Sequence, residues 1–263
     1  MKIREILEAL EVFAPLSLQD GYDNAGLQIG LTEDAEATGA LLCLDVTEAV
    51  IDEAVSRQCN VIVSHHPLLF RPCKNITSAD YVGRCIFKAI KNGMAIYAAH
   101  TNLDNAFGGV NWKIAEKIGL DNVRALAPKS GMEGVGAGIL GTFSEPMRKD
   151  CFVAMIKDIF HVDCVRCNDW TGESVRTVAV CGGAGAFLLP NAAAAGADVF
   201  ITGEIGYHRF FGYENSMLLM EIGHFESEQY TLEVLDGIIH RAVPELPVFH
   251  TAVRTNPISY ICD

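Results

Sequence analysis

Three short stretches of this chain carry side chains that suit transition metals: Ser64-His65-His66-Pro67, the run HTNLD from His100 to Asp104, and the run GHFESE from Gly223 to Glu228. Each directly follows a short apolar run that reads as a β-strand. His65, His66, Asp104, His224 and Glu228 together offer three imidazoles and two carboxylates, a donor set for a binuclear metal centre. In open α/β sheets, ligands collect outside the carboxyl ends of the strands, so metal-type residues that recur there point to one shared site. The set suits two divalent transition-metal ions, Zn, Fe, Mn or Co, rather than Ca or Mg, which take all-oxygen shells.

Local chemistry supports each member. Successive side chains of a strand point to opposite faces, so adjacent histidines separate unless the backbone turns. Pro67 restricts His66 to extended conformations and offers no N–H, which lets two differently directed imidazoles stand at the lip of a sheet. His224 and Glu228 are four apart at the start of a predicted helix and share a face. Asp104 sits in an Asn- and Gly-rich stretch expected to be a loop, where its carboxylate is a suitable bridge between two cations. Each motif alone has an ordinary explanation, a core histidine or a solvated helix face, and it is their company that favours metal. His100, Glu204 and His208 also follow predicted strands or enter the next helix, and are expected as supporting or acid-base groups.

The elements that must position these residues read as α/β. MKIREILEALEVF is an amphipathic helix with Ile3, Ile6, Leu7 and Leu10 on one face. Then come strand ALLCLDV, a helix over 47–58, strand NVIVS, a helix near 79–92 and strand MAIYAA. A similar order returns after residue 175: RTVAVC, an Ala-rich helix near 185–196, DVFIT, a helix near 204–214, MLLMEI and a helix over 226–241. Runs such as NVIV lack alternation, as strands buried on both faces do, and intervening helices favour parallel pairing. Two three-layer-like α/β domains with mostly parallel sheets are expected, with the metal site at strand carboxyl ends where they meet. Between the halves, SEPMRKD is expected to open a helix near 146–160 with Ser144 as its cap, and HVDCVRC to form a strand. The boundary is placed near Ala127 and Pro128, giving domains 1–127, which the C-terminal tail can complete, and 128–263. CGGAGAF is expected as a tight turn, and YDNAGLQIG as a polar loop beside the site or an ordinary turn.

Composition limits the function classes. The chain has 263 residues, half of them hydrophobic, and nine scattered cysteines without framework spacing or a preceding signal peptide, which is expected of reduced thiols in a cytoplasmic protein. No apolar run approaches the roughly 20 residues that span a bilayer. The formal charge of -13 argues against nucleic-acid binding, which depends on Lys and Arg. Two divalent ions would still leave the site locally positive, so a small anionic substrate such as a nucleotide is compatible with it.

At these motifs the sequence resembles the Nif-three-like family, also called GTP cyclohydrolase I type 2 homologues. YDNAGLQIG, LDVTEAVIDEAV, VIVSHHPLLF, YAAHTNLDNAFGGVN, AVCGGAG, FITGEIGYH, GHFESEQ and NPISYI occur in the family's order and cover nearly the whole chain. The resemblance implies two α/β domains, a toroidal homohexamer and dinuclear metal centres. It also carries the family's ligand positions onto the same five residues. Tyr22 departs from the tryptophan usual in the family before Asp-Asn.

The expected function is that of a metal-dependent hydrolase in which two cations lower the pKa of water. If the family's label holds, water attacks C8 of the guanine ring of GTP and formate is released, with His100 or His208 moving the proton; a phosphate ester is the other substrate class considered. The alternative is a non-catalytic hexameric scaffold or metal-handling protein, whose ions need no open coordination position.

Overall fold

The computed structural model describes residues 1–30, 34–129 and 131–261. In chain order the helices and strands are α1 (Ile3–Phe13), β1 (Gly26–Ile29), β2 (Ala40–Cys43), α2 (Glu48–Ser56), β3 (Val61–Ser64), α3 (Tyr81–Lys91), β4 (Ala95–Ala98), α4 (Thr101–Asn105), α5 (Val110–Ile118), β5 (Asp121–Pro128), β6 (Gly136–Arg148), α6 (Lys149–Phe160), β7 (Arg166–Cys167), β8 (Ser174–Cys181), α7 (Leu189–Ala194), β9 (Val199–Thr202), β10 (Leu218–Glu221), α8 (His224–Glu228), α9 (Thr231–Ala242) and β11 (Val248–His250). They form two compact units, Met1–Leu103 with Thr231–Asp263, and Asp104–Tyr230. The chain thus changes unit after residues 103 and 230. Ala127 and Pro128, where the sequence pattern places a boundary, lie within β5 and pair with Ala137 and Gly136 of β6. Pro128 there ends β5, which pairs antiparallel with β6.

In the first unit the strand order is β1-β4-β3-β2-β11. Strands β4, β3, β2 and β11 are parallel, and β1 runs antiparallel to β4. Helices α2 and α3 make the crossovers that parallel neighbours require. Thr47 accepts a hydrogen bond from the Val50 N–H at the start of α2, and Asp80 one from the Gly83 N–H at the start of α3. Every residue of β2, β3 and β4 is buried, which is why their sequences do not alternate. Leu41, Ile62 and Ile96 from these strands pack with Val50, Ile51, Ile86 and Ala89 from α2 and α3. Ile3, Ile6, Leu7 and Leu10 are the buried face of α1.

In the second unit the order is β5-β6-β8-β9-β10-β7. Its centre, β8-β9-β10, is parallel; β5, β6 and β7 are added antiparallel. Several local expectations are corrected here. Ser144 is no cap: β6 continues to Arg148 and the helix begins at Lys149. The β6 register against β8 shifts between Thr142 and Met147, so Pro146, which has no N–H, falls in the irregular stretch. HVDCVRC contributes only the two-residue strand β7. The helix expected near 204–214 is a single 3-10 turn, Tyr207–Phe210, bracketed by Gly206 and by Gly212 at φ 91°. The helix expected over 226–241 is two helices, α8 and α9, broken at Gln229 and Tyr230, whose side chains donate to the carbonyls of Phe160 and Ile159 at the end of α6. Asp104 lies in the one-turn helix α4 instead of a loop. The cysteines among the described residues are free thiols, and Cys262 lies outside them. No helix among the described residues is long and apolar enough to cross a membrane.

Gly83 gives a sharp test of the first unit. A Cβ there would lie 1.8 Å from the Thr77 carbonyl oxygen, which is backbone and cannot swing away. Gly83→Ala should therefore destabilise the protein by about 1–3 kcal/mol, outweighing the roughly 1 kcal/mol by which alanine is favoured in a helix. A urea midpoint equal to or above the wild type would contradict this packing.

Candidate metal centre

Parallel strands bring their carboxyl ends to one edge, and in the first unit each of the four parallel strands contributes to that edge. Asp45 follows β2, His65 and His66 follow β3, His100 follows β4, and the segment from Thr251 onward follows β11. The β2–β3 pairing continues past β3, because the N–H groups of His65 and His66 donate to the Cys43 and Leu44 carbonyls at 3.1 and 2.9 Å. The Ser64 hydroxyl donates to the His66 carbonyl at 2.8 Å. That contact turns the chain so that both imidazoles stay on the sheet edge.

The three rings lie close together. His65 and His66 have ring centroids 4.9 Å apart, and His100 is 5.3 and 5.5 Å from them. One donor atom from each of His65, His66 and His100 can be chosen so that all lie within 4.8 Å of one another, so this cluster could hold a metal ion. The hydrogen bonds say which atoms. His65 Nδ1 is 2.8 Å from the Ala99 carbonyl oxygen, His66 Nδ1 is 2.8 Å from Asp45 Oδ1, and His100 Nδ1 is 2.7 Å from Asp23 Oδ1. These oxygens can only accept, so each Nδ1 carries the proton, and the neutral ring keeps its lone pair on Nε2.

Asp23 reaches His100 from the loop before β1, whose antiparallel direction sets its start at the same edge. It also accepts from the Thr101 N–H and hydroxyl and from the Asn24 N–H. Burial works against ionisation of Asp23, but the hydrogen bonds from His100, Thr101 and the Asn24 N–H outweigh it and hold the carboxyl at about 2. Asn24 and Gln28 of the same stretch bond the Leu69 backbone at 2.7 and 3.1 Å, tying YDNAGLQIG to the loop after His66. Phe70 from that loop is edge-on to His100 at 6.1 Å and to the exposed Tyr22 at 6.4 Å.

In the second unit the ends of the three parallel strands again supply the residues: Gly182 and Gly183 after β8, Gly203 and Glu204 after β9, and His224 after β10. His224 and Glu228 are one turn apart on α8, with His224 Nε2 3.2 Å from Glu228 Oε2. Glu204 Oε1 lies 2.7 Å from His224 Nδ1. A neutral imidazole has one N–H, so it can donate to only one of these two carboxylates. The other contact sets a lone pair against a carboxylate oxygen, unless the ring is doubly protonated or a cation sits on both atoms. Two ligands at right angles on an ion with bonds of about 2.1 Å stand about 3.0 Å apart, so the Nε2–Oε2 distance suits shared coordination. Glu228 is only 3% exposed, and a buried carboxylate requires a compensating partner.

Glycines make room for this pair. A Cβ on Gly183, at φ 61°, would stand 2.2 Å from Glu228 Oε1 and 3.2 Å from His224 Nε2. The Gly183 carbonyl accepts from the N–H groups of Gly203 and Glu204 and from the Thr202 hydroxyl, while its N–H donates to Ser227 Oγ. CGGAGAF is thus more than a turn, because it lets backbone close on α8. Asn111 donates to the Asp104 carbonyl at 3.1 Å and accepts from the Gly182 N–H at 3.0 Å, which links α4 to the same glycine loop.

Of the expected residues, the first unit brings together His65, His66 and His100, and the second brings together His224, Glu228 and Glu204. Asp104 is half-buried on α4, tied to the glycine loop through its backbone. His208 is exposed on the turn Tyr207–Phe210, its ring edge-on to Tyr207 at 5.2 Å. Asp23, Asp45, Gly183 and Gly203 were not singled out as site residues by the sequence. Asp45 was hidden inside the expected strand ALLCLDV; because β2 ends at Cys43, it lies beyond the strand end beside the histidines.

Residues 1–257 match the family described as Duf34/NIF3 (NGG1p interacting factor 3). This chain belongs to the Duf34/NIF3 family. A GTP cyclohydrolase 1 type 2 homolog of Clostridium perfringens is 36% identical over 99% of this chain and 100% of its own length. A homolog of the same name from Clostridium acetobutylicum is 30% identical over 99% of both. The crystal structure of a Bacillus cereus protein related to NIF3 superposes with a TM-score of 0.90 at 26% identity, covering 99% of both chains. Membership confirms the α/β class and the two sheets.

Two outcomes follow from the geometry of this NIF3-family chain. The folded pKa of Asp23 lies below its ordinary 3.8, so its stabilising contribution is complete above that value and is lost as pH falls from 3.8 through about 2. Asp23→Asn should lower stability at neutral pH by about 1–2 kcal/mol and flatten the acid limb, as read from denaturation midpoints between pH 2 and 7; a parallel acid limb would contradict the assignment. Gly183→Ala should push Glu228 away and weaken divalent-metal binding by about 10–100-fold while far-UV circular dichroism is unchanged. Equal metal affinity in the variant would refute the role given to this glycine.

Proposed function

We propose that His65, His66, Asp104, His224 and Glu228 hold two divalent transition-metal ions, and that the protein is a metal-dependent hydrolase. The observation that carries this reading is the set of oxygen contacts at Nδ1. Each of His65, His66 and His224 has Nδ1 against an oxygen acceptor, which leaves Nε2 as the donor, and His224 Nε2 faces the buried Glu228. The nitrogen and carboxylate donors fit Zn, Fe, Mn or Co. Such ions, when bound, supply Lewis acidity that lowers the pKa of water and stabilises developing negative charge.

The chain's own residues supply the rest. Glu204 fixes the His224 ring, and Asp45 the His66 ring. Of the two histidines expected to move a proton, His100 is the better placed, because Asp23 holds its Nδ1–H and leaves Nε2 to accept and return a proton beside His65 and His66. The relatives' name supplies the leading substrate, GTP, with hydrolytic opening of the guanine imidazole ring and release of formate; a phosphate ester is the other class compatible with paired cations. A homohexamer located in the cytoplasm completes the reading.

The test is metal analysis of the purified protein with assays on GTP and a panel of phosphate esters, alongside His65→Ala and Glu228→Ala. Each variant should lose bound metal, and turnover should fall by at least about 100-fold, with formate as the product from GTP. Metal retained by the wild type without turnover of any compound would replace the hydrolase reading with a scaffold or metal-handling role. A wild type that takes up no divalent metal would remove the reading altogether.

A further inference from the structure

The sequence pattern ends its account of the site at Glu228, yet the hydrogen bonds continue to the far end of the chain. Asp45 accepts the His66 Nδ1–H on Oδ1 at 2.8 Å, and its second oxygen, Oδ2, accepts from the Thr255 hydroxyl at 3.1 Å. The three residues follow β3, β2 and β11, which are consecutive neighbours in the sheet. The relay therefore runs across the strand ends in the order of the strands, although Asp45 and Thr255 are 210 residues apart.

The segment that delivers Thr255 is firmly held. The Thr251 N–H donates to the Leu42 carbonyl at 2.9 Å, and the Thr251 hydroxyl donates to Glu53 Oε2 at 2.5 Å. Glu53 also accepts from the Ala252 N–H at 3.0 and 3.1 Å. Val253 packs against the core of the first unit. Two residues further on, Thr255 meets Asp45. An aspartate with side-chain exposure of 37% has water as a competitor for both oxygens, and a fixed hydroxyl on Oδ2 sets the plane of the carboxylate and with it the direction of the His66 ring.

We propose that Asp45 and Thr255 are positioning residues for His66, which makes the segment after β11 a working part of the metal-binding site. The inference rests on the reading of His66 as a ligand through Nε2. It goes beyond that reading in assigning the orientation of the ligand to the C-terminal segment, and in naming the hydroxyl and carboxylate that carry it.

The experiment uses the full-length protein with Thr255→Val, Thr255→Ser and Asp45→Ala, and urea midpoints as a control for folding. Zinc affinity is measured by competition with a chelator, and the tautomer of His66 by nitrogen-correlated NMR on the metal-free protein. The wild type should show the Nδ1–H form. Asp45→Ala should convert His66 to a tautomer mixture and weaken zinc by about 10–100-fold, and Thr255→Val should weaken zinc by about 10-fold, with Thr255→Ser restoring the wild-type value. Unchanged zinc affinity in Thr255→Val and Asp45→Ala, or failure of serine to restore what valine removes, would overturn the proposal. If the wild type takes up none of zinc, iron, manganese and cobalt, the metal reading fails and the NMR decides this inference separately. An Nδ1–H form lost in Asp45→Ala upholds the positioning role, and an Nε2–H form in the wild type overturns it.

Discussion

A neutral imidazole has one proton and one lone pair, and a protein that wants the lone pair in a given place must first dispose of the proton. The strand ends of this chain meet that constraint four times. The Ala99 carbonyl accepts the Nδ1–H hydrogen bond of His65, Asp45 that of His66, Asp23 that of His100 and Glu204 that of His224. In every case the acceptor binds Nδ1, so the outward atom is always Nε2. Surrounding features of both sheet edges can be understood as means of holding these four acceptors still.

The two units hold them by different means. In the first unit, polar side chains do so: Thr101 and Asn24 bond Asp23, Thr255 bonds Asp45, and Ser64 shapes the turn that carries both histidines. In the second unit, backbone does so, because Gly183 and Gly203 have no side chain and the loops after β8 and β9 can close on α8. The difference follows from where the ligands sit. His65 and His66 leave a strand in extended backbone, so their rings need lateral support. His224 and Glu228 are held in register by one helical turn, and there the requirement is space.

Much of this was legible in the sequence because it depends on strand ends. Buried parallel strands announce themselves as unbroken apolar runs, so β2, β3, β4, β8, β9 and β10 were expected where they lie, and the chemistry just beyond them followed. The face of α1 could be read from Ile3, Ile6, Leu7 and Leu10 alone. Edge elements were less legible. Strand β6 passes through Ser144-Glu145-Pro146, residues that locally favour a helix start, because pairing with β8 and an irregular register override that preference. The break between α8 and α9 has no Pro or Gly to mark it; it comes from the Gln229 and Tyr230 side chains reaching the end of α6.

Supporting residues were the hardest to read, and for a physical reason. A ligand is constrained by its own chemistry, so His or Glu at a strand end stands out from one stretch of sequence. An orienting residue is constrained only by its distance to the ligand, and any acceptor of suitable reach will serve, including the Ala99 carbonyl, which leaves no trace in side-chain type. Asp23 in YDNAG reads as a turn residue until β1 is seen to run antiparallel to β4 and bring it to His100. Thr255 has no local signal at all, since its role exists only because β11 joins the sheet beside β2. The order of strands in a sheet is therefore itself functional information: it decides which remote, chemically ordinary residues come to rest beside the ones that bind.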